Sequence, residues 1–106
     1  MIANTPKAPY YAVIFTSVRT ETNNGYGEMA EKMVNLAQKQ PGYLGHESAR
    51  NEIGITVSYW DTLEAIKKWK SDAEHRLAQS KGKSEWYRSY KVRICKVEND
   101  YEFEVQ

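Results

Sequence analysis

The chain reads as an α+β domain with elements in the order strand, helix, strand, strand, helix, strand. Three observations predict this. The stretch Pro41–Trp69, PGYLGHESARNEIGITVSYWDTLEAIKKW, reads as turn, strand, tight turn, strand and capped helix. A strand and a helical repeat precede it, and another strand follows. The strand segments are apolar on both parities. That order is the split βαβ arrangement of ferredoxin-like folds: one antiparallel sheet with its helices on one face.

Residues 1–9 hold two prolines and little hydrophobicity and are expected to form a flexible leader. Tyr10 to Arg19, YYAVIFTSVR, is the first strand, with Tyr11, Val13 and Phe15 on one face and Tyr10, Ala12, Ile14 and Val18 on the other. A strand apolar on both sides is buried on both sides. Asn23-Asn24-Gly25 breaks the chain. From Tyr26 to Gln40, Met29, Ala30, Met33, Val34, Leu36 and Ala37 recur at helical spacing, with early glutamates and a late lysine that suit the helix dipole. Pro41-Gly42 stops that helix. Tyr43 to Ala49 runs extended, Asn51-Glu52 reverses the chain, and Ile53 to Trp60 is rich in β-branched and aromatic residues. Asp61-Thr62-Leu63-Glu64 is a helix-start signature for a helix reaching about Lys70, with Leu63, Ala65, Ile66 and Trp69 turned inward. Ser71-Asp72-Ala73-Glu74 reads as a second capping box, so the chain is expected to bend and restart as a short helix through Gln79, stopped by Lys81-Gly82-Lys83. Ser84 to Ser89 is a polar-aromatic connector and Tyr90 to Glu98 the last strand. The domain is therefore 10–98, and 99–106 is a tail of alternating charged and apolar residues.

At 106 residues the chain makes one domain with one modest core. A net charge of +1 argues against nucleic-acid binding, which needs a basic surface. The lysines at 67, 68, 70, 81 and 83 are interleaved with Glu64, Asp72, Glu74 and Glu85, as on a solvated helix face. Cys95 is the sole cysteine, so an intrachain disulfide is excluded, and a strand position suits a buried thiol. No apolar run approaches membrane-spanning length and no secretory pattern opens the chain, so a reducing cytoplasm is the expected address. A single helix layer covers one face of a two-faced sheet; a second copy, sheet against sheet, is the economical cover for the other.

With these elements in place the chain resembles the antibiotic biosynthesis monooxygenase family. YYAVIFTS, PGYLGHES, ITVSYWDTLEAIKKW and the later AEH carry the likeness, over roughly residues 10–98. The resemblance implies a dimeric α+β barrel. It also implies either a cofactor-independent monooxygenase acting on a small flat phenolic or quinol substrate, or a homodimeric ligand-binding or stress-associated module without turnover. Haem binding or degradation is a further alternative. In the polyketide oxygenases of the family an asparagine-tyrosine pair near the end of the third strand, and a tryptophan soon after, bind substrate. Ser58-Tyr59-Trp60 stands there, with serine in place of asparagine. Haem-degrading members use an asparagine in the first strand, a tryptophan in the second helix and a later histidine. Trp69 matches the tryptophan, whereas His75 follows it closely and no asparagine lies between Tyr10 and Arg19.

The candidate site follows. His75 has Asp72 three residues before it and Gln79 four after, which can share its helical face. Imidazole is a usable base at neutral pH, so His75 is the catalytic candidate, against the plainer reading of a hydrogen-bonded ring at a helix edge. Trp60 and Trp69 are candidate walls, with Tyr59 or Arg93 as donor to an anionic oxygen. Each aromatic ring taken singly is as well explained as core. Arg19 and Arg50 also lie in or beside strands and can pin a carboxylate or phenolate. His46 lies on either the helix side or the dimer side, and strand parity leaves both open. Two histidines without a helical two-histidine-plus-carboxylate spacing argue against a resident metal. Neither a dinucleotide fingerprint nor a serine or cysteine nucleophile with a base at a recognisable spacing is present. No cofactor is expected.

Overall fold

The computed structural model describes residues 1–22, 25–80 and 83–105. Strand β1 (Tyr10–Arg19) pairs antiparallel on one side with β3 (Gly54–Trp60) and on the other with β4 (Tyr87–Val97), while β2 (Tyr43–Arg50) pairs with β3. The spatial order β2-β3-β1-β4 is that of the ferredoxin-like fold. Helix α1 (Tyr26–Gln38) joins β1 to β2, and α2 (Leu63–Ser80) with a short α3 (Lys83–Trp86) joins β3 to β4.

The inner strand β1 fixes both faces. Val13 on its helix side is buried and forms the core with Ala37 of α1, Trp60 of β3 and Ile66 of α2. Tyr11, Tyr43, Ala65 and Trp69 pack against that cluster. On the other face Tyr10 and Ala12 are buried, while Ile14, Val57, Cys95 and Val97 are half-buried and Ile55 is exposed. The residues before β1 cover one end of this face: the Ala3 N–H donates to Glu47 at 2.8 Å, and the Thr5 hydroxyl donates to Tyr10 at 3.0 Å. Among the described residues, the rest of the face is only partly covered.

The second helix departs from expectation. It runs unbroken from Leu63 to Ser80, without the bend expected at Ser71. Ile66, Trp69 and Ala73 lie at i, i+3 and i+7, one inward stripe, and Ala73 is buried, so packing holds the helix through the would-be stop. Asp72 accepts from the Gln40 side chain at 3.1 Å instead of capping a new helix. The start is as expected, with the Ala65 N–H donating to the Thr62 hydroxyl at 3.0 Å. Strand β4 begins three residues before the predicted Tyr90, because Arg19 still pairs with Tyr87 and the Thr20 N–H reaches the Trp86 carbonyl at 2.9 Å. Asn23-Asn24 and Lys81-Gly82, expected to break the chain, lie outside the described residues.

Gly42 is the tightest turn position. Its φ is 89°, and a Cβ there would lie 2.2 Å from Asp61 Oδ1 and 2.8 Å from Ala65 Cβ. Its carbonyl also accepts the Asp61 N–H at 2.9 Å, tying the α1–β2 turn to the end of β3. Gly42→Ala is therefore expected to lower unfolding free energy by about 2 kcal/mol or more in urea melts, from the left-handed backbone and the clash together.

Candidate functional site

Between the helix face of the sheet and the two long helices lies a cavity of about 480 Å³. Strand alternation builds its floor from Val13, Phe15 and Ser17 of β1, Thr56 and Ser58 of β3, and Val92 and Ile94 of β4. Met29, Met33 and Val34 of α1, with Ile66, Trp69 and Ala73 of α2, form the roof. The volume suits a small flat ligand, and most of the wall is apolar.

Aromatic rings close one end. Phe15 stacks on Tyr90 with centroids 5.2 Å apart, and Tyr87 meets Phe15, Tyr26 and Tyr90 edge-on. The Arg19 guanidinium lies 3.4 Å above the Tyr26 ring. Burial, then a hydrogen bond to Tyr26, pushes the Tyr87 phenol well above its ordinary range, so it stays protonated and acts as a donor.

The polar end is built by β2. His46, Ser48 and Arg50 all reach the cavity. A bulge between Tyr43 and Gly45 inserts one residue, so Tyr43 and His46 lie on the same face despite their odd separation. The Tyr43 hydroxyl and His46 Nδ1 share a hydrogen bond. Burial raises the Tyr43 pKa, partly offset by a hydrogen bond from Gln38, so the phenol stays protonated. Arg50 lies flat across Gly54, where a Cβ would meet the guanidinium at 2.1 Å, and donates to the fully buried Ser17 hydroxyl. Bare Gly54 is what lets this arginine cross the floor.

Two tryptophans divide the roles first given to both. Trp60 is fully buried, donates to Ser58 at 2.9 Å, and does not line the cavity. It backs Trp69, with centroids 5.3 Å apart, and Trp69 forms the wall. Trp69 Nε1 is buried with no hydrogen-bond partner among the described residues. A buried indole N–H left unmatched costs free energy, and a ligand oxygen would satisfy it.

The other expected residues lie elsewhere. His75 is exposed and absent from the cavity wall. Ala73 faces the sheet, and two residues further the helix has turned about 200°, which carries His75 away. Tyr59 alternates with Ser58 and Trp60 and so points to the far face, where it donates to Glu47 at 2.6 Å and meets Tyr10 edge-on. Burial, then the Glu47 hydrogen bond, raises its pKa. Arg93, opposite Ile14, is likewise on the far face. The base and donor candidates therefore change: His46 and Arg50 occupy the cavity. Among the described residues no group of three or more His, Cys, Asp or Glu could hold a metal ion. No helix among them is long and apolar enough to cross a membrane.

The geometry is that of a ferredoxin-like α+β domain with a ligand-sized cavity under its helices. The family model for antibiotic biosynthesis monooxygenases matches residues 9–81, and the chain belongs to that family. It is 53% identical over 105 residues to YqjZ of Bacillus subtilis (strain 168), an uncharacterized protein, spanning 97% of this chain and 92% of that one. Among solved structures it is similar in fold to SnoaB from Streptomyces nogalater, a cofactor-independent oxygenase, with TM-score 0.71 at 9% identity over 88% of this chain and 97% of that one. PA3566 from Pseudomonas aeruginosa matches with TM-score 0.67 at 14% identity, covering 91% and 99%.

The far-face carboxylate gives a stability prediction. The Tyr59 hydroxyl, then the Ala3 N–H, hold the Glu47 pKa below its usual value. A depressed folded pKa contributes stability above the unfolded pKa, lost as pH falls through the folded one. Urea melts at pH 7 and pH 3 should show Glu47→Gln losing less stability on acidification than the wild type.

Proposed function

We propose that this chain is a cofactor-independent monooxygenase acting on a small flat phenol or quinol held in the cavity. The observation that supports this reading best is the buried, unmatched Trp69 Nε1–H in an otherwise apolar slot that also holds His46 and Arg50. In this reading the ring lies along Trp69, and one ligand oxygen accepts from its indole N–H. His46 takes the phenolic proton at Nε2, with its Nδ1–H donating to the Tyr43 hydroxyl oxygen and so fixing the ring. Arg50 and the indole N–H stabilise the resulting anion, which the dry pocket keeps strongly reducing. The anion passes one electron to oxygen, and the radical pair combines at carbon to give a hydroperoxide. Where the attacked carbon began as a methylene, as in an anthrone, the hydroperoxide loses water to leave a carbonyl, so one oxygen atom enters the product and the other leaves as water. A second copy of the chain covers the apolar far face of the sheet. YqjZ, at 53% identity, would share the reaction.

Oxygen-electrode assays with an anthrone or hydroquinone, in air and under nitrogen, test the reading. His46→Gln should lower turnover by about 10²–10⁴-fold, the usual range for losing a general base. Trp69→Phe keeps the ring but removes the donor, and should weaken binding of the same probe by about tenfold, read by fluorescence quenching. A bound probe with no oxygen uptake would make the protein a binding module instead.

A further inference from the structure

We propose that Glu47 is a positioning residue for His46: anchored on the far face by Tyr59 and by Ala3 of the leader, it selects the bulged register of β2 that delivers the imidazole into the cavity. His46 stands between Gly45 and Glu47 in the chain. Both neighbours are held from the side opposite the cavity. The Glu47 carboxylate accepts from the Tyr59 hydroxyl at 2.6 Å and from the Ala3 N–H at 2.8 Å. At Gly45 an added Cβ would meet the Ala3 Cβ at 3.3 Å, so the leader packs on the bulge itself. The leader is tied down again at Thr5, whose hydroxyl donates to Tyr10 at 3.0 Å, and Tyr10 meets Tyr59 edge-on.

The register shows what these contacts decide. Tyr43 lies opposite Trp60 and Gly45 opposite Tyr59, so Leu44 is the extra residue of the bulge. His46 then falls opposite Ser58, on the cavity side. With the extra residue at Glu47 instead, Leu44, Gly45 and His46 would pair regularly with Tyr59, Ser58 and Val57. His46 would take the place Glu47 now holds, on the far face, while Ser48 and Arg50 kept their present partners. A shift of one residue is enough to change face. One bulge is present in either arrangement, so side chains choose between them. Gly45, at φ 153°, permits the bulge at Leu44 without enforcing it. The two bonds of Glu47 do enforce it. From its place opposite Val57 the carboxylate reaches diagonally to Tyr59, and hydrogen bonds to an ionised acceptor are the strong ones. In the other arrangement Glu47 is itself the unpaired residue and loses that geometry.

Glu47 touches no ligand in this scheme, and its importance for turnover rests on His46 being the base. Nuclear Overhauser contacts of the His46 ring test the register independently of any reaction. In full-length His75→Gln protein His46 is the sole imidazole. Its ring should contact Tyr43, whose ring centroid lies 6.2 Å away. In Glu47→Leu the contacts should move to Val57 and Ile14. Turnover of an anthrone should then fall by about tenfold or more in kcat, with the affinity for the same probe, read by fluorescence quenching, changed by less than about twofold. Ala3→Pro deletes one donor, keeps the Cβ on Gly45, and should shift contacts and kcat the same way to a smaller extent. Glu47→Gln keeps an acceptor for Tyr59 and should recover most of the loss.

Ring contacts that stay with Tyr43 in both Glu47→Leu and Ala3→Pro would overturn the proposal, whatever the activity. Contacts that move while turnover holds would sustain the register role and overturn His46 as the base. In a protein that shows no oxygen uptake at all the oxygenase reading fails, and the ring contacts still decide the role of Glu47.

Discussion

Everything in this molecule depends on β1 being buried from two sides. It sits inside the sheet, so both its edges are hydrogen-bonded, and its side chains alternate between two apolar environments. Val13 anchors the helix layer, and Tyr10 and Ala12 anchor the opposite face. A sheet with one wetted face could have polar residues at Ala12, Ile14 and Val18. These positions are apolar, which supports the proposed second copy on that side.

The cavity is a consequence of how the helix layer is held. Tyr26, Trp86 and Tyr87 pack edge to edge at one end, and Tyr43, Trp60 and Trp69 at the other. Between them the helices offer Ala30, Ala37 and Ala73 with flexible methionines. Bulky rings at the ends keep the roof off the floor, and small side chains in the middle leave the space unfilled. The Trp60–Trp69 contact does two jobs: it completes the core, and it fixes the orientation of an indole N–H that has no hydrogen-bond partner among the described residues.

Much of this was legible in the sequence. Element order, the two-faced strands, a capped helix start within Asp61–Glu64 and the inward stripe of α2 follow from local patterns that the tertiary structure obeys. The misplaced features share a cause, which is that phase is a tertiary property. Ser71-Asp72-Ala73-Glu74 has the composition of a cap, yet burial of Ala73 keeps it helical. The neighbours of His75 in sequence suggest a base, although the helix turns it away from the sheet. Tyr59 and Arg93 belong to the right strands on the wrong parity. His46 could not be assigned, because the bulge at Leu44–Gly45 changes which residues of β2 share a face, and only φ 153° at Gly45 and the register reveal it.

The distribution of charge across the sheet argues for an anionic ligand state. The carboxylate of β2, Glu47, is on the far face, held by Tyr59 and Ala3, and so contributes no negative charge to the cavity. Glu74, the acid on the cavity rim, lies 3.9 Å from Lys70 in an exposed i,i+4 pair that water screens. Inside, the groups able to meet an oxygen anion are the Arg50 guanidinium and the Trp69 indole N–H, set in apolar surroundings where each acts more strongly than in water. Desolvation by itself favours the neutral form of a phenol, as it does for Tyr43 and Tyr87, so the guanidinium and the indole N–H are what offset it for a bound ligand oxygen. In the proposed reaction that offset lowers the cost of making an anion that can reduce oxygen.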